Sequence, residues 1–246
     1  MKTPIKLSKD LIIEAILGIR FSTKMPAEVV YGHVYQAIAD VFPDLDAVVT
    51  NLPVLQLPED IRKNDLNLRY QPYWMITVGL YSVWVGDGVI NFSVRKPYTG
   101  WGEWRGFMMK LLPKFYNLLK GIEQISLRYI NFTDETLCDV ADIDVKIGPH
   151  TLSCNPMAIQ TESTEEDITR TFRLANNATV QTPTDPPMKG SVIDVEVGTK
   201  IQFTEDFFQN QFCTLLEKLH ELEKQLFFET LQKEFLDSLK PEYGDK

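Results

Sequence analysis

No stretch of this chain offers the roughly 20 consecutive apolar residues that a membrane-crossing helix requires. Its longest apolar stretches are interrupted by Glu14, Gly79, Gly86 and Asp87. It also has no glycine-rich phosphate loop, no Gly-x-Ser-x-Gly turn and no His-Glu-x-x-His helix motif, so the familiar signatures of nucleotide binding, acyl transfer and zinc proteolysis are missing. The glycine-bearing segment GWGEWRG is blocked by tryptophan and opens no strand-to-helix phosphate site. Histidine and cysteine are scarce: His33, His150 and His220, with Cys138, Cys154 and Cys213, lie at wide spacings and none forms a metal-ligand pair. No metal and no cofactor is therefore expected. An odd number of scattered cysteines predicts reduced, mostly buried thiols rather than a disulfide framework. The opening residues MKTPIKLSKD lack the apolar centre of a secretory signal, and a cytoplasmic protein is expected.

What is present is ordinary globular material. The chain has 246 residues, of which 44% are hydrophobic and 24% charged, enough to bury a large core. Charge is distributed unevenly: residues 1–124 hold 14 Lys and Arg against 12 Asp and Glu, and the remainder holds 11 against 22. A nucleic-acid binder would concentrate positive charge, so nucleic acid is not expected as a partner. An acidic second half reads either as a solvated surface or as a docking face for a basic protein partner.

Periodicity then sets the elements. In IIEAILGIRF (12–21) Ile13, Ala15, Leu17, Ile19 and Phe21 share one strand face, while Glu14 and Arg20 lie on the other. Thr23, Pro26 and Glu28 announce a helix over about 26–42, closed by Pro43. A short strand is expected near 47–56, with the polar EDIRKND (59–65) as surface loop. The GDG at 86–88 between LYSVWV and VINFSV predicts a hairpin. Residues 96–121 turn helical, with Pro113 as a kink and Gly121 as the stop. Further strands are expected at 125–132, 143–147, 150–161, 167–175 and 191–203, with STEED (163–167) as a turn and a long exposed loop or bent hairpin over 176–190. From Thr204 to Leu239 the apolar stripe is helical, with a break expected near QLFFET (225–230).

Several residues are candidates for function. In ISLRYINFTDE (125–135) Arg128 interrupts an apolar strand, and SLRY (126–129) matches GIRF (18–21) so that Arg128 falls on Arg20. This internal repeat divides a single domain of residues 1–246 at about 121/122. It predicts an α+β fold, an antiparallel sheet built from two β-α-β(n)-α halves with helices on one face. Arg20, Arg128 and Tyr129, with Glu14, are candidate ligand-binding residues, since a guanidinium forks onto carboxylate or phosphate. The alternative is that the arginines pair with internal acids. Tyr98, Trp101 and Trp104 cluster at a helix entrance and serve either as an interaction platform or as a plug between helix and sheet. Asp194 and Glu196 share a strand face and read as a carboxylate pair or as a wet sheet face.

Three stretches, EAILGIRF (14–21), YTGWGEW (98–104) and LRYINF (127–132), together with IDVEV (193–197) and LHELEKQLFFETL (219–231), resemble a sporadically distributed prokaryotic family of unknown function. The likeness covers nearly the whole chain. It departs at Gln124 and Ser126, where that family has a basic residue and a glycine. The patchy distribution implies mobile or defence-associated genes, with no established activity. Two readings follow. One is a non-enzymatic regulatory or interaction protein, an accessory or neutralising partner in a bacterial defence or toxin system, including a homodimer through the C-terminal helix. The other is a small-ligand or nucleotide-binding domain with an arginine-lined pocket under the sheet.

Overall fold

The computed structural model describes residues 3–65, 68–152, 154, 156–181, 186–202 and 204–244. In chain order its elements are β1 (Lys6–Leu7), β2 (Ile12–Phe21), α1 (Ala27–Val41), β3 (Ala47–Asn51), α2 (Glu59–Asn64), β4 (Pro72–Val78), β5 (Tyr81–Gly86), β6 (Val89–Arg95), α3 (Trp101–Leu111), α4 (Tyr116–Leu119), β7 (Ile122–Thr133), α5 (Leu137–Val140), β8 (Lys146–Ile147), β9 (His150–Thr151), β10 (Met157–Glu165), β11 (Ile168–Val180), β12 (Met188–Lys200), α6 (Phe212–Thr230), α7 (Lys233–Ser238) and β13 (Pro241–Glu242). The fold is α+β, as expected.

The chain forms two compact units that interleave along the sequence. One comprises residues 14–127 and 198–215, the other residues 1–13, 128–197 and 216–246. In the first unit the strand order runs β12-β7-β2-β6-β5-β4-β3. The β2–β6, β6–β5, β5–β4 and β4–β3 pairs are antiparallel. Alternation on β2 buries Ala15, Leu17, Ile19 and Phe21 together with Ile90, Phe92 and Val94 of β6. Burying such side chains contributes about 1.5–3 kcal/mol each. Helix α1 turns Val30, Val34 and Ile38 inward and packs on β5 and α3. Phe107 of α3 stacks on Tyr81 at 4.4 Å between ring centres.

The helical segment after Trp101 breaks where expected: a 3-10 turn at Leu112–Phe115 carries Pro113 and separates α3 from α4. Gly121 follows, and its reason is packing, since a Cβ there would fall 1.9 Å from the Ser22 carbonyl oxygen. Gly88 of the hairpin has φ +70 and closes the turn between β5 and β6.

The second unit orders its strands β10-β11-β12-β7. Ile193 and Val195 of β12 meet Phe227, Phe228 and Leu231, Phe235 and Leu236 of α7, and Leu137 and Val140 of α5. The C-terminal helical run breaks at Leu231 and Gln232, just beyond the expected segment. Thr204 accepts the Phe207 N–H at 3.0 Å, and a π-helical turn at Phe207–Gln211 leads into α6.

Some expectations fail. EDIRKND is helical over Glu59–Asn64, because Pro58 starts the turn and acids in its first turn with Arg62 and Lys63 in its last complement the helix dipole. Strands β10 and β11 run to Glu165 and from Ile168, so the turn is only Glu166 and Asp167, and Glu166 adopts φ 54 to make it. Of the two readings of 176–190 the hairpin is the one that fits, because β11 continues to Val180, β12 begins at Met188 and the two strands are neighbours; its Pro183 lies outside the described residues. The thiols are not all reduced: Cys138 and Cys154, with Cα atoms 5.2 Å apart, are joined in a disulfide, and the free Cys213 is exposed rather than buried.

Inside the second unit α6 buries an acid. Glu223 is 3% exposed, and its Oε1 has no hydrogen-bond partner. Burial pushes its carboxyl well above the ordinary carboxylate value, and the nearby Asp194 adds to the effect. His220, one turn earlier, has its pKa lowered to about 4 by burial and then by Lys224. The two act in opposite directions with pH. Glu223 keeps its proton in the fold, so its contribution is whole below the unfolded value of about 4.5 and is lost as pH rises through the folded one. His220 supports the fold above its ordinary 6.5 and loses that support as pH falls toward about 4. Replacing the unsatisfied carboxyl by Glu223→Leu is expected to stabilise the protein by about 1–3 kcal/mol at neutral pH, with a smaller gain at a pH below the unfolded carboxyl value. Urea unfolding at the two pH values measures it, and a destabilised variant would show that the carboxyl is partnered.

Candidate functional site

The first unit contains a cavity of about 430 Å³ at the start of α1. Three pieces of local sequence build it: the turn from Thr23 to Glu28, the cationic end of α2, and Tyr73 of β4 with Asp87 of the hairpin. Thr23 does not cap α1; its Oγ1 accepts the Met25 N–H at 3.1 Å, and Pro26 occupies the cap position with no side-chain hydrogen bond to the helix. Helix geometry leaves the first N–H groups there without intrahelical partners, with partial positive charge directed outward.

Arg62 forms one wall. Its guanidinium lies 4.4 Å from the centre of the Tyr73 ring, and its buried Nε has no hydrogen-bond partner. Burial pushes the Tyr73 hydroxyl above its ordinary pKa, and the Arg62 guanidinium pulls the other way. Lys63 is occupied, with Nζ 2.5 Å from Glu59 Oε1. Among the described residues Arg62 and Lys24 make no such ion pair, and both line the cavity together with the start of α1. Glu28, Glu59 and Asp87 complete the lining and limit the negative charge it accepts.

None of the residues singled out from the sequence lines this cavity. Glu14 accepts from Ser93 Oγ at 2.6 Å and from Arg95 Nε at 3.1 Å, both on the neighbouring β6. Arg20 donates through Nη1 to Gln124 Oε1 at 3.1 Å and lies over the Tyr70 ring at 4.7 Å. The acceptor amide of Gln124 suits the Arg20 guanidinium. Trp104 is wholly buried, with the half-buried Trp101 at 5.8 Å and Tyr98 at 6.4 Å between ring centres.

In the second unit Arg128 and Tyr129 point to opposite sides of β7. Tyr129 is 3% exposed and its hydroxyl lies 3.2 Å from His220 Nδ1. Arg128 forks onto Asp194, Nε to Oδ1 at 2.8 Å and Nη2 to Oδ2 at 2.5 Å. Arg173 of β11 approaches the same Oδ1 at 3.5 Å and bonds Glu196 at 2.8 Å. Asp194 and Glu196 therefore form neither a wet face nor a cation site: the Asp194 side chain is 5% exposed, and two guanidiniums share the two carboxylates.

Sequence reasoning missed Arg62, Lys24 and Tyr73. The signal for Arg62 was present, since a proline followed by two acids and then two bases marks a short helix. No protein-family model matches the chain, and no curated protein matches it.

The ion-pair cluster yields a stability test. Removing Arg128 leaves Asp194 nearly buried but still beside Arg173, so Arg128→Ala is expected to cost about 2 kcal/mol, below the 3–5 of a fully orphaned buried charge. Adding Arg173→Ala removes the second cation, and the double variant is expected to cost more than the two single losses together. Urea unfolding of the four proteins gives the cycle; a loss under about 0.5 kcal/mol for Arg128→Ala would class it as a surface substitution.

Proposed function

We propose that this chain is a binding protein for a small anionic ligand, a carboxylate or phosphate compound, held in the cavity at the start of α1. The observation that carries this reading is the Arg62 guanidinium on the cavity wall, held 4.4 Å from the centre of the Tyr73 ring and in no ion pair among the described residues. A guanidinium facing a cavity donates charge-assisted hydrogen bonds to an anionic oxygen, each worth about 1.5–3 kcal/mol. A guanidinium held against an aromatic face is preorganised for such an oxygen. The uncapped start of α1 offers N–H groups and a favourable dipole to the same group. Lys24 adds a flexible cation, while Glu28 and Asp87 favour a ligand that also carries a hydroxyl or amino group.

A second reading is favoured by charge. Residues 125–246 carry 22 acids against 11 bases, which suits a basic protein partner, as the family resemblance implies for an accessory component of a defence system. Copurification over a range of salt concentrations tests it, with stoichiometric recovery lost at high salt as the expected result.

The ligand reading is tested by thermal shift and calorimetry with inorganic phosphate, dicarboxylates, amino acids and nucleoside monophosphates. At least one probe is expected to bind saturably, and Arg62→Ala is expected to weaken it by about 10- to 100-fold, the worth of one charged hydrogen bond. Arg69→Ala, outside the cavity, is the control and is expected to bind as the unaltered protein does. Equal binding by Arg62→Ala and the unaltered protein would remove the reading.

A further inference from the structure

We propose that two copies of this chain associate edge to edge through β3, in an antiparallel pair whose twofold axis passes through Val49. Strand β3 ends the strand order of its unit and is paired on one side only, from Ala47 opposite Val78 to Asn51 opposite Trp74. The Leu52 N–H donates to the Tyr73 carbonyl at 2.8 Å, which makes this opposed pair a hydrogen-bonded one. Alternation along an antiparallel ladder then turns the N–H and C=O groups of Val48 and Thr50 toward β4. Those of Ala47, Val49 and Asn51 point away from the sheet.

A charge, a proline or a bulge within the pairing segment, a very short strand or a covering element are the devices that keep an edge strand single. Ala47, Val48, Val49, Thr50 and Asn51 contain no charge and no proline, and their register with β4 is unbroken. At the other end of the strand order β10 carries Glu162 and Glu165. The surroundings of β3 are also apolar. Among the described residues, five of the twelve exposed large apolar side chains fall within residues 45–61: Leu45, Val48, Val49, Leu57 and Ile61. Val48 is 60% exposed, the most of these five.

The segment complements itself. A twofold axis through Val49 sets Val49 against its counterpart, Ala47 against Asn51 and Val48 against Thr50. The outward groups of residues 47, 49 and 51 then all find partners. The flanking acid Asp46 falls opposite Leu52, so no like charges meet. The occupant that this register fits is therefore a second copy of the chain.

Sedimentation equilibrium and light scattering on the full chain test the proposal. The unaltered protein is expected to show a monomer–dimer equilibrium, the monomer mass being 28.3 kDa. Val49→Glu and Val49→Lys each place like charges directly opposite one another across the axis, and each is expected to weaken dimerisation by at least about 100-fold, since repulsion of several kcal/mol is lost affinity. Mixing the two variants pairs Glu with Lys and is expected to restore a dimer containing one of each. Circular dichroism of each variant confirms that it is folded. Should either fail to fold, Val49→Pro, which removes an N–H that faces outward and leaves the β4 ladder intact, replaces it and is expected to be monomeric. A monomeric unaltered protein at all concentrations overturns the proposal, as does a dimer that persists in the charged or proline variants. A dimer of the unaltered protein with no association between the mixed variants overturns the register through Val49.

Discussion

Every second side chain of β2 from Ala15 to Phe21 is withdrawn from water, and much of the remaining structure answers that constraint. A strand that commits one face to a core must place its polar residues on the other, where each has to be matched across the sheet. Glu14 meets Ser93 and Arg95 of β6 in this way, and Arg20 meets Gln124 of β7. The same alternation on β7 turns Ile125, Leu127 and Tyr129 inward and leaves Arg128 to Asp194. The arginines that stand out in the sequence are thus the polar counterpart of core formation. The cavity draws on a turn, a short helix and a strand end, outside the alternation of β2 and β7.

The alternations in IIEAILGIRF and ISLRYINFT are written locally, which is why the strands, the hairpin at Asp87 and Gly88 and the break near Pro113 were legible from the residues alone. Partnerships are not local. Arg128 and Asp194 are 66 positions apart and Arg95 and Glu14 are 81 apart, and only the register of the sheet brings them together. The disulfide was hidden for a related reason: with three cysteines, composition does not say which two will be 5.2 Å apart between Cα atoms. The helix at Glu59–Asn64 escaped because six residues are too few to show an apolar period, although its charge order marks it. The cavity combines the missed helix with a turn whose threonine looked like a cap, so neither part of its lining announced a site.

The polar groups buried in the second unit are of two kinds. Asn131 donates to the Ile193 carbonyl, and the Asn176 side chain accepts from the Leu137 N–H; these lock a turn and a strand in place. His220 meets the Tyr129 hydroxyl, and burial shifts both Glu223 and His220 toward their neutral forms. A core that shifts an acid upward and a histidine downward makes its stability depend on pH through two groups of opposite sense.

The interleaving of the two units sets the order in which the chain can mature on the ribosome. The hairpins of residues 72–95 pair as soon as they emerge, because their contacts are close in sequence. Each unit, however, takes a segment from beyond residue 197, so neither is complete until most of the chain has been synthesised. Through that interval the side of β7 that β12 will cover stays open, a nascent edge on which a chaperone or a neighbouring nascent chain can act. Neither unit is a single contiguous segment, so no single proteolytic cut separates the chain into the two units.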